Sequence, residues 1–499
     1  MSGLVNLLPL FVVVPLGGAF LTTIIGRRVK RLPDLVGVIA TFCLFCFSVW
    51  AVAIVKQHGV LVYSVGAWRP PVGITLVLDA LTSFMLVTVN TVVFLIAVYS
   101  VRYMEHFTSK WKFFTLFLLL VGGMNGVIIT GDLFNLFVFL EIAAVASYAL
   151  VAFGTEKYEL EAAFKYGVMS SVSSLFILLG IAFLYAYTST LNMADMAAVL
   201  SKKGPNEIIP MVSILFIMGF GLKAALVPFH AWLPDAHPSA PAPISATLSG
   251  VLIKSLGAYT ICRIFFNVIG FSEGVSYVLL VLGTLSMVGG VFLAVGQWDF
   301  KRLLAYHSIS QMGYVILGIG LGTPLGILGG LFHLFNHSIF KSLLFLNSGA
   351  VEYATGTRDL QRMGGLFKKM PVTGTTNLIA SMSIAGIPPF NGFWSKLLII
   401  VACVQAGRYG FAFWAVFASI LTLASFMKVM KYVYYGKLPK ALADTKEVPG
   451  LMKFAMVVLA FICVIGGLLF LPGVAGTFLQ PATAVLLKGV GYAHLPFIP

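Results

Sequence analysis

The sequence predicts an all-α polytopic membrane protein of about fourteen transmembrane helices. Three observations carry that prediction. Of 499 residues, 59% are hydrophobic and 10% are charged, a composition that excludes a soluble enzyme and a disordered chain. Apolar runs of about 18 or more residues recur along the whole length, where a β-barrel would show short alternating segments. The basic residues alternate too: most of the 32 Lys and Arg fall in one alternate set of loops, as the positive-inside rule requires for a chain with its N-terminus outside.

The elements follow in order. The run at 4–25 lacks a basic start and a small-residue cleavage site, so it reads as a retained helix and not a cleaved signal. Runs at 35–55 and 78–100 complete an N-terminal unit, 1–112. A first five-helix unit over 113–270 has runs at 113–130, 133–153, 166–187, 209–228 and 247–269. A second, over 275–435, has runs at 275–296, 302–321, 326–349, 373–405 and 409–434. A last run at 452–471 and a short apolar tail fill 436–499, with no long lateral helix. The loops 56–77, 188–208 and 435–451 are the longest, and each is too short for a soluble domain.

Two segments break the helical pattern and mark helices 7 and 12. One is LKAALVPFHAWLPDAHPSAPAPISA, with Pro228, Pro234, Pro238, Pro241 and Pro243; the other is SIAGIPPFNGFWSK, with Gly386, Pro388, Pro389 and Gly392. Proline removes a backbone donor and clashes with the preceding turn. Freed backbone groups at membrane depth are tolerated only inside protein or beside water. The breaks resemble each other, PFHAW against PFNGFW. AAFKYG (Lys165) also pairs with SIFKSL (Lys341), and DLFNLF (from Asp132) with DFKRLL (from Asp299). Three features in the same order predict two five-helix repeats, inverted in the membrane because five is odd. The last pairing sets Glu141 opposite His307 or Ser308.

Glu141, Lys223, Lys254, Lys341 and Lys396 lie inside apolar runs. Each ionisable group at helix-centre depth costs about 2.5–3.5 kcal/mol on insertion scales. Five on separate helices read as a charged path, and so as ion transport. The net charge of +15 does not indicate nucleic acid, because the basic clusters Arg27–Arg31, Arg358–Lys369 and Lys428–Lys453 match one membrane face and lack aromatic interleaving. The five cysteines, Cys43 and Cys46 of a CxxC among them, read as small buried residues. No set suits an iron–sulfur cluster, and no glycine-rich fingerprint follows a strand, so no cofactor is expected.

TGDLFNLFVFLEIAAVASY, PFHAWLPDAHPSAPAPISATLSGVLIK, DFKRLLAYHSISQMGY and GIPPFNGFWSK together resemble the antiporter-like subunit family. It includes large membrane-arm subunits of respiratory complex I, subunits of membrane-bound energy-converting hydrogenases, and the D-type subunit of Mrp sodium/proton antiporters. The likeness spans roughly 80–435. GDLFNLFVFLE looks most like the Mrp D type, PFHAWLPDAH more like the complex I and hydrogenase members. The resemblance implies about fourteen helices with two inverted repeats. It sets Glu141 at the family's fifth-helix glutamate, Lys223 on the broken seventh helix and Lys254 as the central lysine of the eighth. His333 and His337 match the eleventh-helix histidines, and Lys396 the ionisable residue of the broken twelfth helix, a glutamate in some members. Without a lateral helix the chain looks M/N-like or D-like.

Chemistry follows from these positions. A Glu141–Lys223 pair at about 4 Å and an effective dielectric near 20 attracts by about 4 kcal/mol, enough to keep both charged. Opening it would push a proton from Lys223 toward Lys254; a static structural pair is the alternative. Lys254, with no acid nearby in sequence, reads as a central relay. His333, His337 and Lys341 are four apart and share a helix face. They could relay protons, hydrogen-bond structurally or bind metal, but no HExxH or completing carboxylate supports a metal. Lys341 and Lys165 are expected nearer an interface and rank below the others. Lys396 reads as a gate that passes H⁺, since an ammonium cannot coordinate Na⁺. Asp132 and Asp299 read as solvated helix caps. His230, Asp235 and His237 could form a watery entrance or satisfy freed backbone groups; His307 is a further candidate.

The expected function is proton translocation by one antiporter-like subunit of a multisubunit complex in the cell's inner membrane. Partner subunits, further antiporter-like ones among them, would supply the driving reaction, redox-linked as in a hydrogenase or complex I. The alternative is a D-like component of an Mrp-type Na⁺/H⁺ antiporter. No redox site of the chain's own is expected.

Overall fold

The computed structural model describes residues 2–107, 109–204 and 207–494. Among them ten helices are long and apolar enough to cross a membrane, and two shorter apolar helices, Ile208–Lys223 and Asn391–Gln405, flank the breaks. Helices Phe300–Gly320 and Pro324–Thr355 are long as well. They are less apolar because they carry His307, Gln311, His333, Asn336, His337 and Lys341, all buried. Polar residues this dense would be untenable against lipid, so these helices occupy the interior.

Helix Ala242–Val268 is wholly buried and forms the centre. It is not a plain α-helix: π-helical turns run over Leu248–Leu252, Lys254–Tyr259 and Arg263–Val268. Such turns appear where a side chain is re-aimed, frequently at functional sites. Helices Gly3–Ile25 and Leu32–His58 are peripheral, with most of their surface facing outward. The long loops carry small elements: a two-stranded antiparallel hairpin, Leu61–Ser64 with Thr75–Leu78, and a short helix, Met193–Lys203.

The breaks share one geometry. Helix Ile208–Lys223 is followed by Ala225 at φ 55°, and Leu226 N–H donates to Gly221 C=O. Helix Pro371–Ala385 is followed by Gly386 at φ 80°, and Ile387 N–H donates to Met382 C=O. Both are left-handed helix ends whose next amide reaches back to a freed carbonyl.

A second motif also recurs. Leu133 N–H bonds Leu191 C=O and Met193 N–H bonds Gly131 C=O; Phe300 N–H bonds Arg358 C=O and Leu360 N–H bonds Trp298 C=O. Thr188 and Thr355 hydroxyls reach Thr190 and Thr357 carbonyls in the same way. These shared ends align helices Lys157–Thr188 and Pro324–Thr355, both 32 residues. In that register Glu141 lies opposite Ser308, and Lys341 opposite Ser174. This alignment by helix ends differs from the local FK match, which pairs Lys341 with Lys165.

Three expectations are corrected. Cys43 and Cys46 are exposed, not buried, because the helix Leu32–His58 is peripheral. Asp132 does cap its helix, accepting from Asn135 N–H at 2.7 Å, but it is only 6% exposed, since the Asn192 loop bridges over it. Burial pushes its carboxyl above the usual range while the capping amides oppose that. Lys341 is fully buried within the chain, not on its surface.

Candidate ion-translocation site

Glu141 sits midway along helix Leu133–Val151, and Lys223 ends helix Ile208–Lys223. Lys223 Nζ lies 3.7 Å from Glu141 Oε1. Helix Lys157–Thr188 inserts hydroxyls between them: Lys223 Nζ donates to Ser170 Oγ at 2.7 Å and Ser174 Oγ at 3.3 Å, and the Ser174 hydroxyl donates to Glu141. The lysine is buried, whereas the Glu141 side chain is 36% exposed. It faces outward among exposed Val138, Val145, Val172 and Leu175. The ion pair thus has a dry end and an open end. Beside it, the Tyr166 ring stacks on Trp232 at 4.2 Å, and the Trp232 indole donates to Leu222 C=O at 3.1 Å, fixing the break next to Lys223.

Lys254 opens a π-helical turn of the central helix, fully buried, and its ammonium turns back onto the Ser249 carbonyl. No hydrogen bond joins it to Lys223 among the described residues. The two helices meet instead through backbone, for a Cβ on Gly257 would lie 2.6 Å from Ala224 Cα. Lys254 lies within electrostatic range of His237, His333, His337 and Lys341.

His333, His337 and Lys341 share the inner face of helix Pro324–Thr355, all fully buried. His333 is anchored by Ser395 Oγ at 2.9 Å and Gln311 Oε1 at 3.2 Å. His337, 6.3 Å from His333 between ring centroids, has no hydrogen-bond partner on either nitrogen among the described residues, and neither does Lys341 Nζ, which lies 5.5 Å from the Phe345 ring centroid. Buried polar groups of this kind are commonly satisfied by ordered water. A fixed histidine beside a free one can receive and pass a proton.

Lys396, on helix Asn391–Gln405, reaches back across the second break. Its Nζ donates to Ile384 C=O at 2.7 Å and to Ser419 Oγ at 3.2 Å, and lies 4.7 Å from the Tyr314 ring centroid. Gly386 makes this possible, because a Cβ there would lie 3.0 Å from Lys396 Cδ.

The secondary candidates scatter. His307 Nε2 bonds Ser425 Oγ at 2.8 Å on the helix packed against that of Lys396. Asp235 pairs with Lys165 at 3.1 Å and Arg302 at 3.5 Å, near one helix mouth. His230 is half-buried within the first break, its Nδ1 without a partner.

Sequence reasoning missed two pairs. Arg263 and Asp79, both buried, meet as a fork at 2.8 and 3.0 Å, with Thr82 and Tyr259 hydroxyls close by. Arg263 stands inside the apolar run TICRIFFNVIG, which was the available signal. Lys301, 2% exposed, meets Glu352 at 2.8 Å. Asp79, Lys301 and Glu352 lie at the ends of runs, where a charge looks solvated.

The middle of the chain, residues 130–422, matches the family model described as NADH:quinone oxidoreductase/Mrp antiporter, TM. The chain belongs to this family. Residues 69–114 match the model for the N-terminus of complex I chain 5. The chain is 36% identical over 434 residues to the D-type subunit of the Na(+)/H(+) antiporter of Alkalihalophilus pseudofirmus, covering 87% of each. It is 38% identical over 401 residues to the N-type subunit of the NADH-quinone oxidoreductase of Desulforudis audaxviator, covering 79% of this chain and 80% of that one. The fold is similar to a chain of the Mrp complex from Dietzia sp., at TM-score 0.91 and 30% identity over 98% of this chain and 99% of that one. It is similar too to a chain of an archaeal membrane-bound sulfane sulfur reductase, at TM-score 0.87 and 31% identity with the same coverage. As a family member it is an antiporter-like, multi-pass membrane protein.

Proposed function

We propose that this chain translocates protons as one antiporter-like subunit of a multisubunit complex. The observation that carries the proposal is the burial of Lys223, Lys254, Lys341 and Lys396, each at most 4% exposed, with His333 and His337 set among them. So much buried charge is expensive in a membrane unless it serves an ion path. The path runs Glu141, Lys223, Lys254, His333/His337, Lys396. Opening the Glu141–Lys223 pair frees the proton of Lys223; Lys254 receives it through water; the histidines pass it to Lys396 beside the second break. The matched breaks and end motifs support two inverted five-helix repeats within about fourteen spans, over 113–270 and 275–435.

The half-exposed Glu141 supports a complex. A carboxylate facing lipid at mid-span would cost several kcal/mol, and a neighbouring subunit would cover it. The driving partner is redox-linked in the first reading. The second reading is the D-like place in an Mrp-type Na⁺/H⁺ antiporter in the inner membrane, favoured by the whole-length likeness to the Mrp complex chain. Purifying the complex from native membranes and identifying its chains separates the two: iron–sulfur or nickel-site subunits support the first, small membrane subunits alone the second. Proton translocation itself is tested with Glu141→Gln in membrane vesicles; full coupled proton movement by a complex carrying that substitution would refute the proposal.

A further inference from the structure

Several charged groups outside the path gather at one place. A cavity of about 290 Å³ opens between the two halves of the chain, lined by Lys165, Asp235, Asp299, Arg302 and Arg358. Arg358 Nε lies 3.3 Å from Asp299 and 3.6 Å from Glu352. Glu352, behind the cavity-lining Arg358, turns inward to Lys301, at 2.8 Å. Lys301 Nζ in turn donates to Ala240 C=O at 3.1 Å, at the end of the first break. The pair repeats the burial pattern of Glu141–Lys223: a lysine 2% exposed against a glutamate 27% exposed, compared with 3% and 36%.

Deeper still lies His237, fully buried, both ring nitrogens without a hydrogen-bond partner among the described residues. It stands within electrostatic range of Lys301, Lys341 and Lys254. Its ring lies 4.8 Å from that of Phe345, over which Lys341 Nζ also sits. Lys301 Nζ thus bonds the backbone just beyond His237 in the chain, and the shared Phe345 ring sets the imidazole on the side of Lys341.

We infer that Glu352–Lys301, followed by His237, forms a proton-uptake branch joining this cavity to Lys341 and Lys254. The inference rests on the proton-translocating reading above and supplies it with a mouth. A proton from water in the cavity binds a Glu352 carboxylate oxygen, which weakens its hold on Lys301. The Lys301 ammonium gives one proton to a ring nitrogen of His237 and regains one from Glu352. His237 passes a proton from its other nitrogen to a neutral Lys341 amine. Each transfer breaks one O–H or N–H bond and makes another, so charge and atoms balance.

The test measures coupled proton movement with a pH-sensitive dye in membrane vesicles holding the whole complex. Glu352→Gln should slow uptake about tenfold, less than the ~100-fold lower bound for removing a positioned proton carrier, because cavity water partly replaces it. Glu352→Asp should restore most of the rate, which a purely structural tie to Lys301 would not predict. If Glu352→Gln hinders assembly, a Ser239→Cys complex offers a second route, since Ser239 lines the cavity. A bulky charged thiol reagent should then block uptake in that complex and not in one with only the native cysteines. Full-rate uptake by Glu352→Gln, or by labelled Ser239→Cys, while Glu141→Gln is inactive overturns this branch and leaves the main path standing. Activity in Glu141→Gln instead removes the translocation reading itself.

Discussion

Ser174 touches both members of the Glu141–Lys223 pair: its hydroxyl donates to Glu141, and Lys223 Nζ donates to it at 3.3 Å. A hydroxyl can do both at once. The serine therefore links a buried ammonium to a carboxylate that opens outward. Its counterpart in the second half, by the register of the shared helix ends, is Lys341. One half places a neutral bridge where the other places a charge.

Ser174→Ala should keep the ion pair but remove its bridge. The Glu141–Lys223 separation of 3.7 Å is at the long limit for direct contact, so the pair should loosen and coupled proton movement should fall severalfold with assembly intact. Ser174→Thr, which keeps the hydroxyl, should retain the rate. Dye-monitored proton movement in vesicles compares the two; equal rates for both would show the bridge to be idle.

Arg263 and Asp79 are a fully desolvated fork between helix Ala80–Tyr103 and the central helix. Removing one partner strands a buried charge, at a cost of about 3–5 kcal/mol. Arg263→Ala should therefore lower the thermal stability and yield of the purified complex markedly. Arg263→Met with Asp79→Leu should recover much of the loss, because neither charge then remains. Thermal unfolding of the three proteins decides; an unchanged melting temperature for Arg263→Ala would contradict the buried fork.

Gly386→Ala tests the gate. At φ 80° a side chain costs about 1–2 kcal/mol, and the new Cβ would crowd Lys396 Cδ. Proton movement should drop sharply while the complex still assembles. Ala225→Gly at the matching break, where an alanine already sits at φ 55°, should be neutral or slightly stabilising. Parallel rate and melting measurements read both; a fully active Gly386→Ala would mean that Lys396 does not depend on this turn.

His333 and His337 should separate in behaviour. His333 is held by Ser395 and Gln311, so His333→Ala leaves polar partners unmatched, with about 1–3 kcal/mol at stake, and should reduce both stability and rate. His337 has no such partners, so His337→Ala should slow proton movement with little change in melting temperature. The reverse assignment would place the mobile carrier at His333.

Much of this was legible in the sequence. Charge inside an apolar run is visible by contrast, so Glu141, Lys223, Lys254 and Lys396 stood out, and proline clusters located both breaks. Charge at the end of a run is not visible in that way. Lys301, Glu352 and Asp79 looked like solvated ends, and only packing against other helices shows them buried. Lys165 and Lys341 share a local FK match, but register depends on backbone bonds at distant helix ends, which four residues cannot report. The outward face of Cys43 and Cys46 was hidden for a related reason: an apolar residue in a membrane helix suits lipid and protein core equally.

The central claim is that Lys254, alone among the lysines at the centre of the wholly buried helix, relays protons between the Glu141–Lys223 pair and the Lys396 gate. The most direct measurement is coupled proton movement by the purified, reconstituted complex carrying Lys254→Ala, with its subunits confirmed present. The account predicts that proton movement falls by about 100-fold or more while every subunit still co-purifies. Proton movement at the unsubstituted rate in that complex would contradict it.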